Sequence, residues 1–225
     1  MDKFIKIFRK VHKIMAVIDM DEISNSVLRA YNKIAEKYVA AYGENDLTDC
    51  KYLNDFVALL NDNKVLDMGC GCGESTSYLA NFGLDIIGVD FSENMLAEAC
   101  RLYPALKFEK QNILSTSFED KSFGGIVLTY VINHFNDIGL KFLKEEIDRL
   151  LKDDGLIFLS FHVGNEEKYV SDPLDDTIEI YYNFLNLDKL DKIFEGYKRI
   201  KYDFRKSFGP EEFLCDKMFV IFRKG

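Results

Sequence analysis

The chain has 225 residues, of which 48% are apolar and 30% charged, with a net charge of −9. Such a length and balance fit one soluble globular domain, and with no run of about 18 uncharged apolar residues they exclude stable insertion in a membrane. Five Lys/Arg against two Asp put +3 on residues 1–19 and leave −12 on the rest, a body that repels phosphate backbones and argues against a nucleic-acid partner.

Residues 4–18 place Phe4, Phe8, Val11, Met15 and Ile18 at helical spacing, with Lys3, Lys6, Arg9, Lys10 and Lys13 mostly elsewhere on the wheel. The pattern predicts an amphipathic helix with a basic face. It reads as a helix packed on the domain, with weak association at a membrane surface as the alternative; His12 falls on its surface. Charge interrupts the apolar residues of this segment throughout, so a secretory leader is not expected. Two further helical stretches follow, "EISNSVLRAYNKIAEKYVAAY" and "CKYLNDFVALLN". Residues 1–60 are thereby expected to form a helical cap, and 61–225 the main body.

The rhythm then changes to short apolar runs alternating with amphipathic stretches. "KVLDMG", "LDIIGVD", "LKFEKQN", "GGIVLTYV" and "LIFLSFHV" read as strands. "ESTSYLANFG" reads as a helix ended by Gly83, "SENMLAEACRLY" as one capped by Ser92 and stopped before Pro104, and "DIGLKFLKEEIDRLL" as one closed by "KDDG". This alternation predicts βαβ units and a parallel sheet covered on both faces. After residue 163 come a loosely patterned insert near 164–190 and the helix "LDKLDKIFEGY". Two strand-like runs, "YKRIKYDFRKSF" and "EFLCDKMFVIFRK", are parted by a Gly-Pro turn; they are expected to form a hairpin whose last strand is antiparallel. Five scattered cysteines with no CxxC pair suggest neither disulfides nor zinc but reduced thiols in a cytoplasm.

The chemistry concentrates in "VLDMGCGCGESTSYLA", residues 65–80. The glycines lie directly between a buried-type strand and a helix, the context in which backbone N–H groups meet a ligand. The dinucleotide pattern GxGxxG fails, because its third glycine would fall at Glu74 or Thr76, and no Gly-Lys-Ser/Thr of a Walker loop is present. What remains is D-x-G-x-G-x-G, followed by a second strand ending in Asp90, where a carboxylate can accept both hydroxyls of a ribose. Cys70 and Cys72 read as small loop-fillers and no metal is expected.

"VLDMGCGCGESTSYLA" resembles motif I of the class I S-adenosylmethionine-dependent methyltransferases, and "GVDFSENMLAEA" resembles their second motif at the usual separation. "KFEKQNILSTSFEDKSFGGIVLTYVINHF" and "EIDRLLKDDGLIFLSF" are similar to the remaining core motifs, so the likeness runs over roughly residues 30–163. It implies a Rossmann-like α/β fold: a seven-stranded, mostly parallel sheet with an antiparallel last strand, helices on both faces and an N-terminal helical cap. It also implies S-adenosyl-L-methionine as cofactor. Gly69, Gly71 and Gly73 would pass its methionine part, Asp67 would face its amino group, Asp90 would bind the ribose, and Phe91 and Met95 would flank the adenine. Asn112 stands where the family usually has Asp and can accept the same bond from the adenine amine, and Ile113 would offer its N–H. Tyr31 and Tyr38, in "YNKIAEKY", resemble the family's cap segment. "SFGG" replaces the usual Ser-Phe-Asp, leaving Gly124 without a carboxylate, and "KDDG" replaces a Pro-Gly-Gly turn.

His134 and His162 fall at carboxyl ends of strands, where open α/β sheets place ligands, so each is a candidate general base or a packed group. Tyr181 and Tyr182 either line an acceptor pocket or fill space beneath a lid, and Glu211 and Glu212 read as a solvated turn. The reading is a methyltransferase acting in line on a small-molecule acceptor. His134 and Tyr31 are its candidate catalytic groups, and cap and insert together form the acceptor pocket. A sulfonium is already activated, so alignment and exclusion of water carry most of the catalysis, and oxygen, nitrogen and carbon acceptors all stay open. The alternatives are an aminopropyl transferase on the same fold and a non-catalytic cofactor-binding subunit. The oligomeric state is left open.

Overall fold

Helix α1 is continuous from Asp2–Tyr42, where the sequence suggested two separate stretches. No proline or glycine interrupts those residues, so nothing breaks the ladder, and the helix runs about 60 Å. The computed structural model describes residues 2–43, 49–208 and 215–225, and for residues 2–19 the backbone alone. The basic face expected on residues 4–18, with His12, and the turn expected at Glu211 and Glu212 lie outside the described residues. No helix among those described is long and apolar enough to cross a membrane.

A 3₁₀ turn at Cys50–Tyr52 leads into α2 (Leu53–Leu59). The core follows as β1 (Lys64–Met68), α3 (Glu74–Ala80), β2 (Asp85–Asp90), α4 (Glu93–Leu102), β3 (Lys107–Lys110), β4 (Phe123–Thr129), α5 (Asp137–Leu150) and β5 (Leu151–His162). A hairpin of β6 (Glu167–Asp172) and β7 (Asp175–Asn183) comes next, then α6 (Leu187–Ile193), β8 (Tyr197–Arg205) and β9 (Lys217–Lys224). Seven strands form one sheet in the order β3-β2-β1-β4-β5-β9-β8. Strands β1 to β5 pair in parallel, and β9 runs antiparallel to both β5 and β8. The expected seven-stranded sheet with its reversed last strand is therefore present.

Alternation along the central strands splits the core into two layers. Leu66, Ile126, Leu128, Ile157, Leu159 and Val220 meet Leu140, Leu143 and Ile147 of α5 and Leu190 of α6 on one face. Val65, Val127, Phe158 and Phe219 meet Phe56 of α2 and Leu79 of α3 on the other. Ser92 caps α4 as expected, its hydroxyl accepting from Met95 N at 3.2 Å. Gly124 occupies a tight place: a Cβ there would stand 2.2 Å from the Cβ of Asp62. Asp62 itself binds Lys152 at 2.5 Å, so a carboxylate is supplied to this corner from the loop before β1.

Two expectations need correction. The insert near 164–190 holds the regular hairpin β6–β7, which pairs antiparallel from Glu167↔Asn183 to Asp172↔Asp175. The link between β8 and β9 is not a bare Gly-Pro turn, because β8 stops at Arg205 and β9 starts only at Lys217. Val27, Ala30 and Ile34 of α1 pack with Ile178, Ile180, Tyr182 and Phe184 in and after β7, so the first helix and the insert share one apolar layer.

Phe56 is fully buried against Phe158, ring centroids 6.2 Å apart. Phe56→Ala is expected to lower stability by about 3–5 kcal/mol. Urea denaturation by circular dichroism, with an unchanged m-value, checks this.

Candidate functional site

At the tip of β1 the backbone turns through three left-handed glycines, Gly69 (φ 77°), Gly71 (φ 54°) and Gly73 (φ 92°). The turn is fastened to β2 by Gly69 N and Cys70 N, which both donate to Val89 O at 2.7 and 3.0 Å. A Cβ on Gly71 would meet nothing within 4 Å, so this residue presents bare backbone to open space.

Asp67 lies fully buried beneath the turn. Its Oδ2 accepts from Ser75 Oγ and Thr76 Oγ1, each at 2.6 Å, while Oδ1 is buried with no hydrogen-bond partner. Burial outweighs the two hydroxyl bonds and pushes the carboxyl up to about 6. Asp90, at the tip of β2, accepts from Gly71 N on Oδ2 at 3.0 Å and from Ser92 N on Oδ1 at 2.8 Å. Burial raises its pKa against these backbone bonds.

Helix α1 covers this corner. Asn32 Oδ1 accepts from Ser92 Oγ at 2.7 Å, and Asn94 Nδ2 donates to Asn32 O at 2.7 Å. Met95 is buried with Ala35 and Cys72, and Phe91, Tyr31 and Tyr38 each pack against the apolar layer shared by α1 and β7. Asn112 is exposed and turns its Oδ1 to Leu114 N at 3.0 Å, whereas Ile113 is buried in the core.

A cavity of about 1200 Å³ opens beside the loop, above the range of about 300–1,000 Å³ usual for one small ligand. Of the residues singled out from sequence, Gly69, Gly71, Tyr31, Tyr38, His162 and Tyr182 line it. Asp67, Gly73, Asp90, Phe91, Met95, Asn112, Ile113, His134 and Tyr181 do not. Cys70 also lines it, while Cys72 donates to Glu74 Oε1 at 2.8 Å; no metal-ligating cluster exists among the described residues.

A directed hydrogen-bond chain runs behind the cavity wall. His134 Nδ1 lies 3.0 Å from Tyr181 O, an atom that only accepts, so Nδ1 carries the proton and Nε2 the lone pair. Tyr31 OH, 2.9 Å from Nε2, must then donate to it. Tyr182 also hydrogen-bonds Tyr31 and in turn donates to its oxygen. Burial drops His134 to about 4, so the ring is neutral near pH 7, and the same burial raises the phenols of Tyr31 and Tyr182.

A second polar group was not anticipated from sequence. Tyr130 follows β4 in the left-handed region (φ 59°), a strain of about 1 kcal/mol or more in a non-glycine residue. Its hydroxyl donates to Asp49 Oδ2, which also accepts from Arg205 Nη2 at 2.9 Å. Its ring stacks on His162 (5.0 Å), and Lys217 Nζ lies 5.6 Å from the ring centre. His162 Nδ1 stands 3.2 Å from Cys215 Sγ. Asn133, also unanticipated, clamps β5 to the end of β7: its Nδ2 donates to Asn183 O at 2.6 Å and its Oδ1 accepts from His162 N at 2.9 Å. The local cue available for Tyr130 was its place at the carboxyl end of a central strand.

Comparison with known proteins follows from this geometry. A family model described as a methyltransferase domain matches residues 66–159. The chain is 32% identical over 119 residues to phosphoethanolamine N-methyltransferase 3 of Arabidopsis thaliana, covering 51% of this chain and 24% of that protein. It is 25% identical over 130 residues to demethylmenaquinone methyltransferase of Renibacterium salmoninarum, covering 55% and 54%. The chain thus spans from about a quarter to about half the length of these curated relatives. In fold it is similar to the DhpI–SAH complex (TM-score 0.70, 19% identity, 89% of this chain and 96% of that one). It is likewise similar to a SAM-dependent methyltransferase of Methanosarcina mazei (TM-score 0.68, 17% identity, 76% and 96%).

The raised pKa of Asp67 has a consequence for stability. The folded carboxyl titrates at about 6 and the unfolded one near 3.8, so the folded state holds the proton more tightly. The stability this confers is complete below about pH 4 and is lost as pH rises through 6. In the ligand-free protein, Asp67→Asn is expected to gain about 2–3 kcal/mol relative to wild type between pH 4 and pH 7.5. Urea titrations at the two pH values measure this, and parallel pH profiles for the two proteins would refute it.

Proposed function

Residues 66–159 are a methyltransferase domain on a class I fold, and from that premise we propose that the chain transfers a methyl group from S-adenosyl-L-methionine to a small-molecule acceptor. The observation that carries the proposal is the left-handed glycine turn whose Gly71 faces open space beside two buried strand-tip carboxylates. The residues fit that cofactor. Asp67 Oδ1 is an orphaned buried acceptor suited to an ammonium group, and a Cβ at position 71 would project into the space a ligand needs. Each oxygen of Asp90 takes one backbone N–H, and carboxylate oxygens accept more than one bond.

When bound, the cofactor supplies a methyl group already activated on a sulfonium. The roles of the chain are to hold, orient and exclude water. Gly69, Gly71 and Gly73 would pass the methionine part, Asp67 would take its amino group and Asp90 the ribose hydroxyls. Phe91 and Met95 would flank the adenine, with Asn112 and Ile113 at its edge and Tyr38 closing over the loop. In this reading α1 and the β6–β7 hairpin act as a lid over the acceptor, because they share one apolar layer and bring Tyr31, Asp172 and Tyr182 to the cavity.

Tyr31 is the group placed to touch the acceptor, and His134 acts through it as a positioning residue. A neutral imidazole behind the phenol fixes the hydroxyl toward Nε2, and the Tyr31 oxygen, which takes one bond from Tyr182, would use its second lone pair toward the acceptor. A proton leaving a hydroxyl or amine acceptor would pass to that oxygen as the phenol proton moves to His134 Nε2.

Calorimetry with S-adenosylhomocysteine should give micromolar-range binding that weakens at least about tenfold in Asp90→Ala. Unchanged affinity would remove Asp90 from the site. Transfer of labelled methyl from the cofactor into a small-metabolite pool reads the activity. In that assay Tyr31→Phe is expected to lower the rate about 10²-fold or more with S-adenosylhomocysteine affinity within about threefold of wild type. Because His134 titrates at about 4, the wild-type rate should show no inflection near 6.5 that His134→Gln abolishes.

A further inference from the structure

Asp172 closes β6 at the tip of the β6–β7 hairpin and lines the cavity at 9% exposure. In the turn its Oδ1 accepts from Leu174 N at 2.8 Å, and a second bond comes from Asp175 N. A turn of this kind needs an acceptor and no charge, because asparagine makes it as well. Docking of the hairpin on α1 uses a different carboxylate: Lys33 and Lys37 pair with Asp175 at 3.3 and 3.0 Å. Asp172 also lies opposite Asp175 in the hairpin register, and like charges facing each other disfavour pairing. The charge of Asp172 thus serves neither the turn nor the docking, and it works against the pairing.

Both of these bonds are ones that Asp172 accepts, which is the pattern of a carboxylate and not of a carboxylic acid. Among the described residues no cation forms an ion pair with it. Lys37 lowers its pKa from farther away and is itself held by Asp175, while burial and the charge of Asp175 raise it. What faces the carboxylate is a wall of phenols. Tyr31, Tyr38 and Tyr182 line the same cavity. The charge of Asp172 raises the phenols of Tyr31 and Tyr182, so it stands near both. The rings of Tyr31 and Tyr38 meet edge to face, 6.2 Å between centres. Faces of such rings attract cations, and a carboxylate beside them selects the same sign.

We propose that Asp172, with the rings of Tyr31, Tyr38 and Tyr182, recognises an ammonium group on the methyl acceptor, so that the substrate class is a small amine bound as its cation. The inference rests on the methyltransferase reading above and adds the acceptor's charge to it. An ammonium N–H donates to the carboxylate in a charge-assisted bond, and the phenol rings cover its remaining sides. The ammonium is a handle and not the nucleophile, because a protonated nitrogen has no lone pair with which to attack. The overall charge of −9 favours the approach of such a cation.

The test is calorimetry on the full chain saturated with S-adenosylhomocysteine, using three ring probes: the cationic benzylamine, the neutral benzyl alcohol and the anionic benzoate. Benzylamine is expected to bind about tenfold or more tightly than the other two, the scale of one charge-assisted hydrogen bond. That affinity should fall at least about tenfold in Asp172→Asn, which keeps the acceptor for Leu174 N and removes only the charge. Benzyl alcohol should bind the variant within about threefold of wild type, a readout that a merely misfolded hairpin would move. Equal binding of amine and alcohol, no binding of benzylamine at millimolar concentration, or amine affinity unchanged in Asp172→Asn would overturn the proposal. Should that variant fail to fold by circular dichroism, Asp172→Ser replaces it and is read in the same way. If S-adenosylhomocysteine itself does not bind, the cofactor reading fails. The amine preference is then measured on the ligand-free chain and is judged by the same criteria.

Discussion

The Asp90 carboxylate is the joint on which the site depends. One oxygen holds Gly71 N of the glycine turn and the other holds Ser92 N at the start of α4, so a single buried group fixes the turn after β1 relative to the helix after β2. Ser92 passes the restraint on, because its hydroxyl caps α4 and also donates to Asn32 of α1. Removing the carboxylate would leave buried backbone donors unsatisfied and release the loop, the helix start and the covering helix together. A carboxylate is the natural choice because it alone among side chains offers several acceptor sites and no donor.

That choice has an electrostatic cost. Asp67 and Asp90 are both buried, each is pushed toward the protonated form by desolvation, and the charge of Asp90 raises Asp67 further. Without ligand the corner therefore holds more negative character than its surroundings compensate. A group carrying positive charge relieves the tension in both carboxylates at once, which is the property of the cofactor proposed above. In such a corner selectivity does not need many contacts, because a neutral ligand of the same shape leaves the repulsion in place.

Most of the sheet was legible because its signals are local. Strands β1, β2, β4 and β5 are short apolar runs, Ser92 stands where a cap belongs, and the spacing of Asp67 and the glycines lies within one turn of chain. The errors have local causes too. Nothing in residues 19–21 breaks a helix, yet the two amphipathic faces on either side differ, so one helix read as two. Strand β6, "EKYVSD", is mostly exposed and gives no apolar alternation. The meeting of Arg205 and Lys217 at the cavity was invisible for a different reason: they are far enough apart in sequence that each reads as an ordinary charge in a strand. Only the pairing of β5, β9 and β8 makes them neighbours. The position of α1 is non-local as well. "YNKIAEKY" carries Tyr31 and Tyr38, but that Asn32 would seat on the cap of α4 follows only from the docked helix.

The polar groups around the cavity are consequently placed by its framework. Asp67 and Asp90 sit buried beneath the tips of β1 and β2, Arg205 and Lys217 face the cavity from β8 and β9, and the Tyr31–His134 pair is held neutral by burial. That placement resides in backbone register, which sets Lys217 opposite both His162 and Arg205, rather than in any single loop.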